Sequence, residues 1–222
     1  MPSAWIIGPL IIKSSLVMLI GSFVVGFVLF TFTSPFTKSK TKKRLDEVGT
    51  ILIVFVLSLW IGKVLSNLTI FIDDPRAILA YPSDSQAFYV AAVLVLVYGK
   101  LKVVDNYKHF LDILYSLMYV FLSASFVYEF AQIILGREVF TWGYIGLLAA
   151  LLIIIILLQN KLTTEHLAFL SILGWSLGQL TLSIFYHTNV FQFNLSPVFY
   201  SIIAIGSTVL FVYGKRVAQW EE

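Results

Sequence analysis

The chain has 222 residues, 59% of them hydrophobic and 12% charged, with a net charge of +3 and no cysteine. A soluble domain is about 45–50% apolar and about 25% charged, so this composition excludes a soluble globular fold and predicts an all-α, multi-pass membrane protein. It also excludes disulfides, thiolate metal sites and a thiol nucleophile. The small positive balance calls for no nucleic-acid partner, because the basic residues have a topological task.

The opening, MPSAWIIGPLIIKSS, has no basic n-region and no small-residue cleavage site, and reads as part of the mature chain. A membrane crossing needs roughly 20 apolar residues. Seven stretches qualify, and they predict a single transmembrane domain over residues 1–222 with no internal repeat. The first covers residues 10–33 and ends at the block KSKTKKR. The second, 48–70, leads into the polar loop IDDPRAILAYPSDSQ. The third, 87–104, is short and ends in YGKLK.

The fourth, 107–135, is the longest and carries the most unexpected polar groups. It reads YKHFLDILYSLMYVFLSASFVYEFAQIIL, with Asp112 near its start and Glu129 near its end. Gln132 follows Glu129 by three residues and so shares its helix face. After the tight turn GREVF comes the fifth span, 141–158. QNKLTTEH separates it from the sixth, 167–186. HTNVFQFN then leads to the seventh, 197–213, which Ser196-Pro197 opens as an N-cap followed by proline in the first turn.

Basic residues set the orientation. Alternate loops hold Lys38, Lys40, Lys42, Lys43 and Arg44, then Lys100, Lys102 and Lys108, then Lys161, then Lys215 and Arg216. The other loops hold only Arg76 and Arg137, beside Asp73, Asp74, Asp84 and Glu138. The N-terminus is therefore expected outside and the C-terminus in the cytoplasm, with KSKTKKR as the topology anchor. Trp5, Trp142 and Trp220 fall near span ends as interface anchors. Trp60 and Trp175 lie deeper, as packing residues. Gly174 and Gly178 form a small-xxx-small pair suited to close helix packing.

Few residues could carry chemistry. His109, His166 and His187 are scattered near span ends, without metal-ligand spacing, and no Gly-rich phosphate loop or GxSxG elbow is present. No metal or cofactor is expected. The polar set that could converge lies toward the outer leaflet: Lys13, Lys63, Glu129, Gln132, Arg137 and Gln179, with Ser183 on the face of Gln179 and Tyr186 beyond. Two readings stand side by side. In one, Lys13, Lys63 and Arg137 hold an anionic headgroup phosphate through charge-assisted hydrogen bonds. In the other, Lys63 snorkels outward and Glu129 is neutralised by Lys63 or Lys13. Glu129 is the one candidate catalytic base.

The order of these features resembles that of the bacterial prolipoprotein diacylglyceryl transferases. AWIIGPLIIKSSLVMLIGSFVVGF is similar to that family's Gly-Pro-Leu-type opening. WIGKVLSN stands where the family has a Gly-x-Arg motif, and DDPRAILAYPSDSQAFYVAAV follows its outer loop. FLDILYSLMYVFLSASFVYEFAQIILGRE, EHLAFLSILGWSLGQLTLSIFYH and FNLSPVFYSIIAIGSTVLFVYGKR parallel its later spans. The resemblance covers nearly the whole chain. It implies seven spans with the N-terminus outside, in a bacterial cytoplasmic membrane. It also implies transfer of a diacylglyceryl group from phosphatidylglycerol to a lipobox cysteine.

The chain departs from that family at the positions the reaction needs. The histidine of the family's His-Gly-Gly falls on residues 87–90. The arginine of its Gly-Arg-x-Gly-Asn falls on Ser125 or Phe126, and the asparagine on Tyr128 or Glu129. The sixth-span arginine, glutamate and second arginine fall on Gln179, Ser183 and Tyr186. The first-span His-Trp-Tyr is Lys13-Ser14-Ser15, and Lys63 keeps a charge without the arginine fork. One lost donor at a developing phosphate charge costs on the order of 10²–10³ in rate. The resemblance therefore implies a shortened, catalytically silent relative that binds a phospholipid such as phosphatidylglycerol, a lipoprotein segment or another membrane protein. Two alternatives are an active transferase rebuilt around Lys13, Lys63, Glu129 and Arg137, and a small transporter subunit with Glu129 and Gln132 in its pathway.

Overall fold

A computed structural model describes residues 4–7, 10–76, 78, 83–103, 106–135, 142–186 and 188–220. The turn GREVF, Arg137 and His187 lie outside the described residues, as do the side chains of Trp5 and Trp220. The protein is an all-α membrane protein, and four of its helices are long and apolar enough to cross a bilayer.

Two short strands come first, β1 (Ala4–Ile7) and β2 (Leu10–Lys13), paired antiparallel. The first helix, α1 (Ser14–Thr33), therefore starts four residues later than residue 10, where the sequence places it. It stops before Pro35, which has no N–H to continue it. Next come α2 (Lys38–Ser66), the short α3 (Leu68–Asp73) and α4 (Ser85–Tyr98). The Asp84 side chain caps α4 by accepting from the Ala87 N–H at 2.9 Å, and a π-turn (Gly99–Val103) follows. Asn106 caps α5 (Tyr107–Ile134) in the same way, at 2.8 Å from the His109 N–H. Helices α6 (Trp142–Leu158) and α7 (Thr164–Phe185) follow. A hairpin of β3 (Asn189–Val190) and β4 (Phe193–Asn194) then leads to α8 (Pro197–Trp220). Pro197 opens α8 as the sequence predicts, and Ser196 is held by Tyr89, whose hydroxyl accepts from the Ser196 N–H at 2.9 Å.

Helix α5 is the centre. Two thirds (67%) of its most apolar stretch is buried, against 17%, 28% and 39% for α1, α2 and α7. It packs against α1, α7, α6 and, near its start, α2; α4 lies on α2 and α8 on α7. Lipid offers apolar side chains no hydrophobic gain on leaving it, so helix association rests on close fit. Small residues provide that fit. The buried stripe Ser22, Gly26, Phe30 of α1 faces α5, where a Cβ on Gly26 would come 2.9 Å from the Val120 carbonyl oxygen. On α2, a Cβ on Gly62 would come 2.6 Å from the Ala87 carbonyl oxygen of α4. Gly174 and Gly178 do pack closely, but against the side chains of Leu151 and Leu147 of α6 rather than against backbone.

The interior is aromatic. Phe30 of α1 stacks within 6.1 Å of both Tyr115 and Tyr119 of α5, and Thr33 donates to the Tyr119 hydroxyl at 2.7 Å. Farther along α5, Phe121 meets Trp175 of α7 at 5.1 Å. Trp175 is buried, as the sequence predicts for a packing residue. Trp60 is not: it is 47% exposed, so it lies on the outer face of α2. The β3–β4 turn also contributes. Phe191 and Gln192 both have positive φ (48° and 74°), the geometry that a two-residue hairpin loop demands and that side chains other than glycine or asparagine resist. The Phe191 ring offsets that strain by packing 5.2 Å from Phe23 and 5.6 Å from both Phe121 and Tyr128.

The glycine contacts are testable by thermal unfolding in detergent. Gly62→Ala gains helix propensity but drives a Cβ into backbone, and is expected to lose about 1–3 kcal/mol. Gly49→Ala, whose Cβ meets nothing within 4 Å, is expected to be neutral or stabilising by up to about 1 kcal/mol. Equal effects at the two positions would show that the α2–α4 approach is looser than described.

Candidate functional site

The two carboxylates of α5 have opposite surroundings. Asp112 is buried at the end where α5 and α7 begin. Its Oδ2 is 2.7 Å from the Lys40 ammonium and 3.6 Å from the Arg44 guanidinium, and its Oδ1 accepts from the Thr164 hydroxyl at 3.1 Å. Arg44 also pairs with Glu47, whose other oxygen is 3.1 Å from His109 Nε2. This network joins α2, α5 and α7. It corrects two expectations. The whole block KSKTKKR forms the first turns of α2 rather than a loop, and His109 is engaged rather than scattered. A buried charge survives in an apolar bundle only if paired, and here two cations meet two carboxylates.

Glu129 lies 17 residues further along α5, about 25 Å at 1.5 Å per residue. Ser125, Glu129 and Gln132 follow the i, i+4, i+7 spacing that puts them on one stripe. All three are buried, as are Tyr144 of α6, Trp175 and Gln179 of α7, Thr188 before β3 and Tyr200 of α8. The Trp175 indole N–H points at the Tyr144 hydroxyl across a long 3.5 Å. The Tyr144 hydroxyl also lies close to Ser125 and within electrostatic reach of Glu129 and Tyr200. These groups approach one another without closing good hydrogen bonds.

Among the described residues, ten buried side-chain polar atoms have no hydrogen-bond partner. Six belong to this end of the bundle: Ser125 Oγ, Gln132 Oε1, both polar atoms of Gln179, Thr188 Oγ1 and Tyr200 Oη, although Thr188 lies close to Tyr200 and Ser125 close to Tyr144 without good hydrogen-bond geometry. Each such atom costs about 1–3 kcal/mol if left unmatched, and no bulk water reaches a bilayer interior to relieve it. Their concentration at one end of the bundle makes that end the candidate site.

Of the cations expected here, Lys13 and Lys63 are described and Arg137 lies outside the described residues. Lys13 is exposed at the end of β2. Lys63 is buried on α2, with its ammonium 5.1 Å from the Trp60 ring, a cation–π contact rather than an outward snorkel. Among the described residues no cation lies within salt-bridge distance of Glu129, so the expected neutralisation by Lys63 or Lys13 is not made. Ser183 turns back to the Leu180 carbonyl at 2.6 Å, and Tyr186 is exposed. Of the residues singled out from sequence, Glu129, Gln132 and Gln179 therefore meet at this end, while Lys13 and Lys63 make no ion pair or hydrogen bond with them. Sequence reasoning missed Tyr144, Thr188 and Tyr200, which lie on other elements. Ser125 carried a weak signal, one turn before Glu129.

The chain matches no protein-family model, no curated protein and no solved structure.

The ion network has a clear stability signature. Arg44→Met leaves both Asp112 and Glu47 short of a counter-charge, and an expected loss of about 3–5 kcal/mol should appear in thermal unfolding. Lys40 is 37% exposed, so Lys40→Met is expected to lose under about 1 kcal/mol. A mild Arg44→Met phenotype would show that the network is not a structural tie.

Proposed function

We propose that this chain is a seven-crossing protein of a bacterial cytoplasmic membrane, N-terminus outside. It binds a membrane amphiphile, a phospholipid or a lipoprotein segment, and catalyses no transfer. The observation that carries the reading is the group of unpartnered polar atoms on α5, α7 and α8, enclosed in an otherwise apolar bundle. A ligand with a polar head and apolar chains matches such a site, because its head supplies the missing hydrogen bonds and its chains remain in lipid. The likeness of layout to the diacylglyceryl transferases supports a lipid-handling role. The silent reading rests on charge. Cleaving a phosphodiester needs cations at the developing phosphate charge, and the described residues bring none to Glu129.

Native mass spectrometry of the protein from phosphatidylglycerol/phosphatidylethanolamine nanodiscs should show retained phospholipid. Gln179→Leu, which removes two of the unpartnered atoms, should lower occupancy at least fivefold. Incubation with phosphatidylglycerol and a lipobox peptide should yield no thioether product. Turnover above background would overturn the silent reading, and unchanged occupancy in Gln179→Leu would remove the site.

Topology is independently checkable, since the chain has no cysteine of its own. A membrane-impermeant maleimide should label Asp74→Cys in intact cells and Lys42→Cys only after lysis. The reverse pattern would invert the orientation.

A further inference from the structure

We infer that the Glu129 end of the bundle seats a positively charged group, an alkylammonium carried by an amphiphile, and not a phosphate. The inference rests on the ligand-binding reading above and adds the charge of what binds.

Three observations support it. First, the protein provides cations where it wants a carboxylate neutralised: Asp112 has Lys40 and Arg44, and Glu47 has Arg44, with His109 Nε2 within hydrogen-bond distance of its other oxygen. Glu129 is buried to a similar degree, yet among the described residues it has no cation. A carboxylate in an apolar bundle needs a counter-charge or a proton, and a bound cation would supply the first.

Second, every neighbouring unpartnered atom except Gln179 Nε2 can accept: Gln132 and Gln179 each offer an Oε1, and Ser125, Thr188 and Tyr200 offer hydroxyl oxygens. An ammonium has three donors and no acceptor, so it can use these oxygens together with the Glu129 carboxylate, whereas a phosphate could take the hydroxyl and amide donors but would be repelled by that carboxylate. The single amide donor group, Gln179 Nε2, remains for a carbonyl or hydroxyl next to the ammonium.

Third, the walls are aromatic. Trp175 stands 5.6 Å from Tyr200, ring to ring, and its N–H points at Tyr144. Aromatic faces beside a carboxylate attract a cation through their ring quadrupoles. Phe130 and Ile134, exposed on the same stretch of α5, offer an apolar surface along which alkyl chains can lie.

The test uses the full chain in a non-ionic detergent, reading Trp fluorescence and thermal shift against four probes: dodecylammonium, dodecanol, dodecyl phosphate and ethylammonium. Dodecylammonium should bind at least tenfold tighter than dodecanol and dodecyl phosphate, and Glu129→Gln should abolish that preference while leaving dodecanol binding intact. Weak ethylammonium binding supports an ammonium carried by an amphiphile; comparable affinity for ethylammonium would mean a soluble amine and overturn the inference. Equal binding of dodecylammonium and dodecanol, or tighter binding of dodecyl phosphate, overturns the inference and leaves the ligand-binding reading standing. No binding by any probe overturns both. The wild-type preference alone decides the matter if Glu129→Gln does not fold.

Discussion

Burying two carboxylates in one apolar helix is the constraint to which the surrounding structure answers. Neither Asp112 nor Glu129 can face lipid cheaply, since a charge at mid-bilayer costs at least about 2.5–3.5 kcal/mol. The protein resolves the two cases differently. At Asp112, two other helices converge: α2 supplies Lys40 and Arg44, and α7 supplies Thr164. At Glu129, helices also converge, but they bring hydroxyls, amides and aromatic rings in place of cations. The first arrangement is closed and holds helices together. The second is open in the chemical sense, with more hydrogen-bonding capacity than the protein itself uses.

Enclosing α5 so completely depends on close approach. Gly26 lets α1 lie on α5, and Gly62 brings α4 against α2. The β3–β4 turn completes the enclosure by placing Phe191 between α1 and α5. That turn adopts positive φ at two residues without glycine, so the ring contacts must hold the backbone there. Stability and site share the same scaffold: Trp175 packs on Phe121 with one edge and reaches Tyr144 with its N–H.

Much of the fold was legible because it rests on local chemistry. Apolar length marked the long helices, and Ser196-Pro197 marked the start of α8. What was not legible depended on distant partners. KSKTKKR reads as a solvated basic run until Asp112 is known to lie beside it. HTNVFQFN carries no Asn-Gly or Gly at its turn, so nothing in it announces a hairpin. The site was half visible. Glu129, Gln132 and Gln179 stand out as polar groups in apolar spans, but that no described cation pairs with Glu129 is a three-dimensional fact. Lys63 stands over the Trp60 ring on α2, a contact between residues three apart that its charge alone does not reveal.

We propose that Asp112 serves the fold and Glu129 a ligand. Replacing an unmatched buried polar group with an apolar one of similar shape is neutral or stabilising, whereas breaking a matched pair is not. The direct measurement is the thermal unfolding midpoint of ligand-free Glu129→Leu beside that of Asp112→Leu. The account requires the first to match or exceed the wild type while the second falls by several degrees. A Glu129→Leu protein as unstable as Asp112→Leu would show that Glu129 is a structural residue and would contradict it.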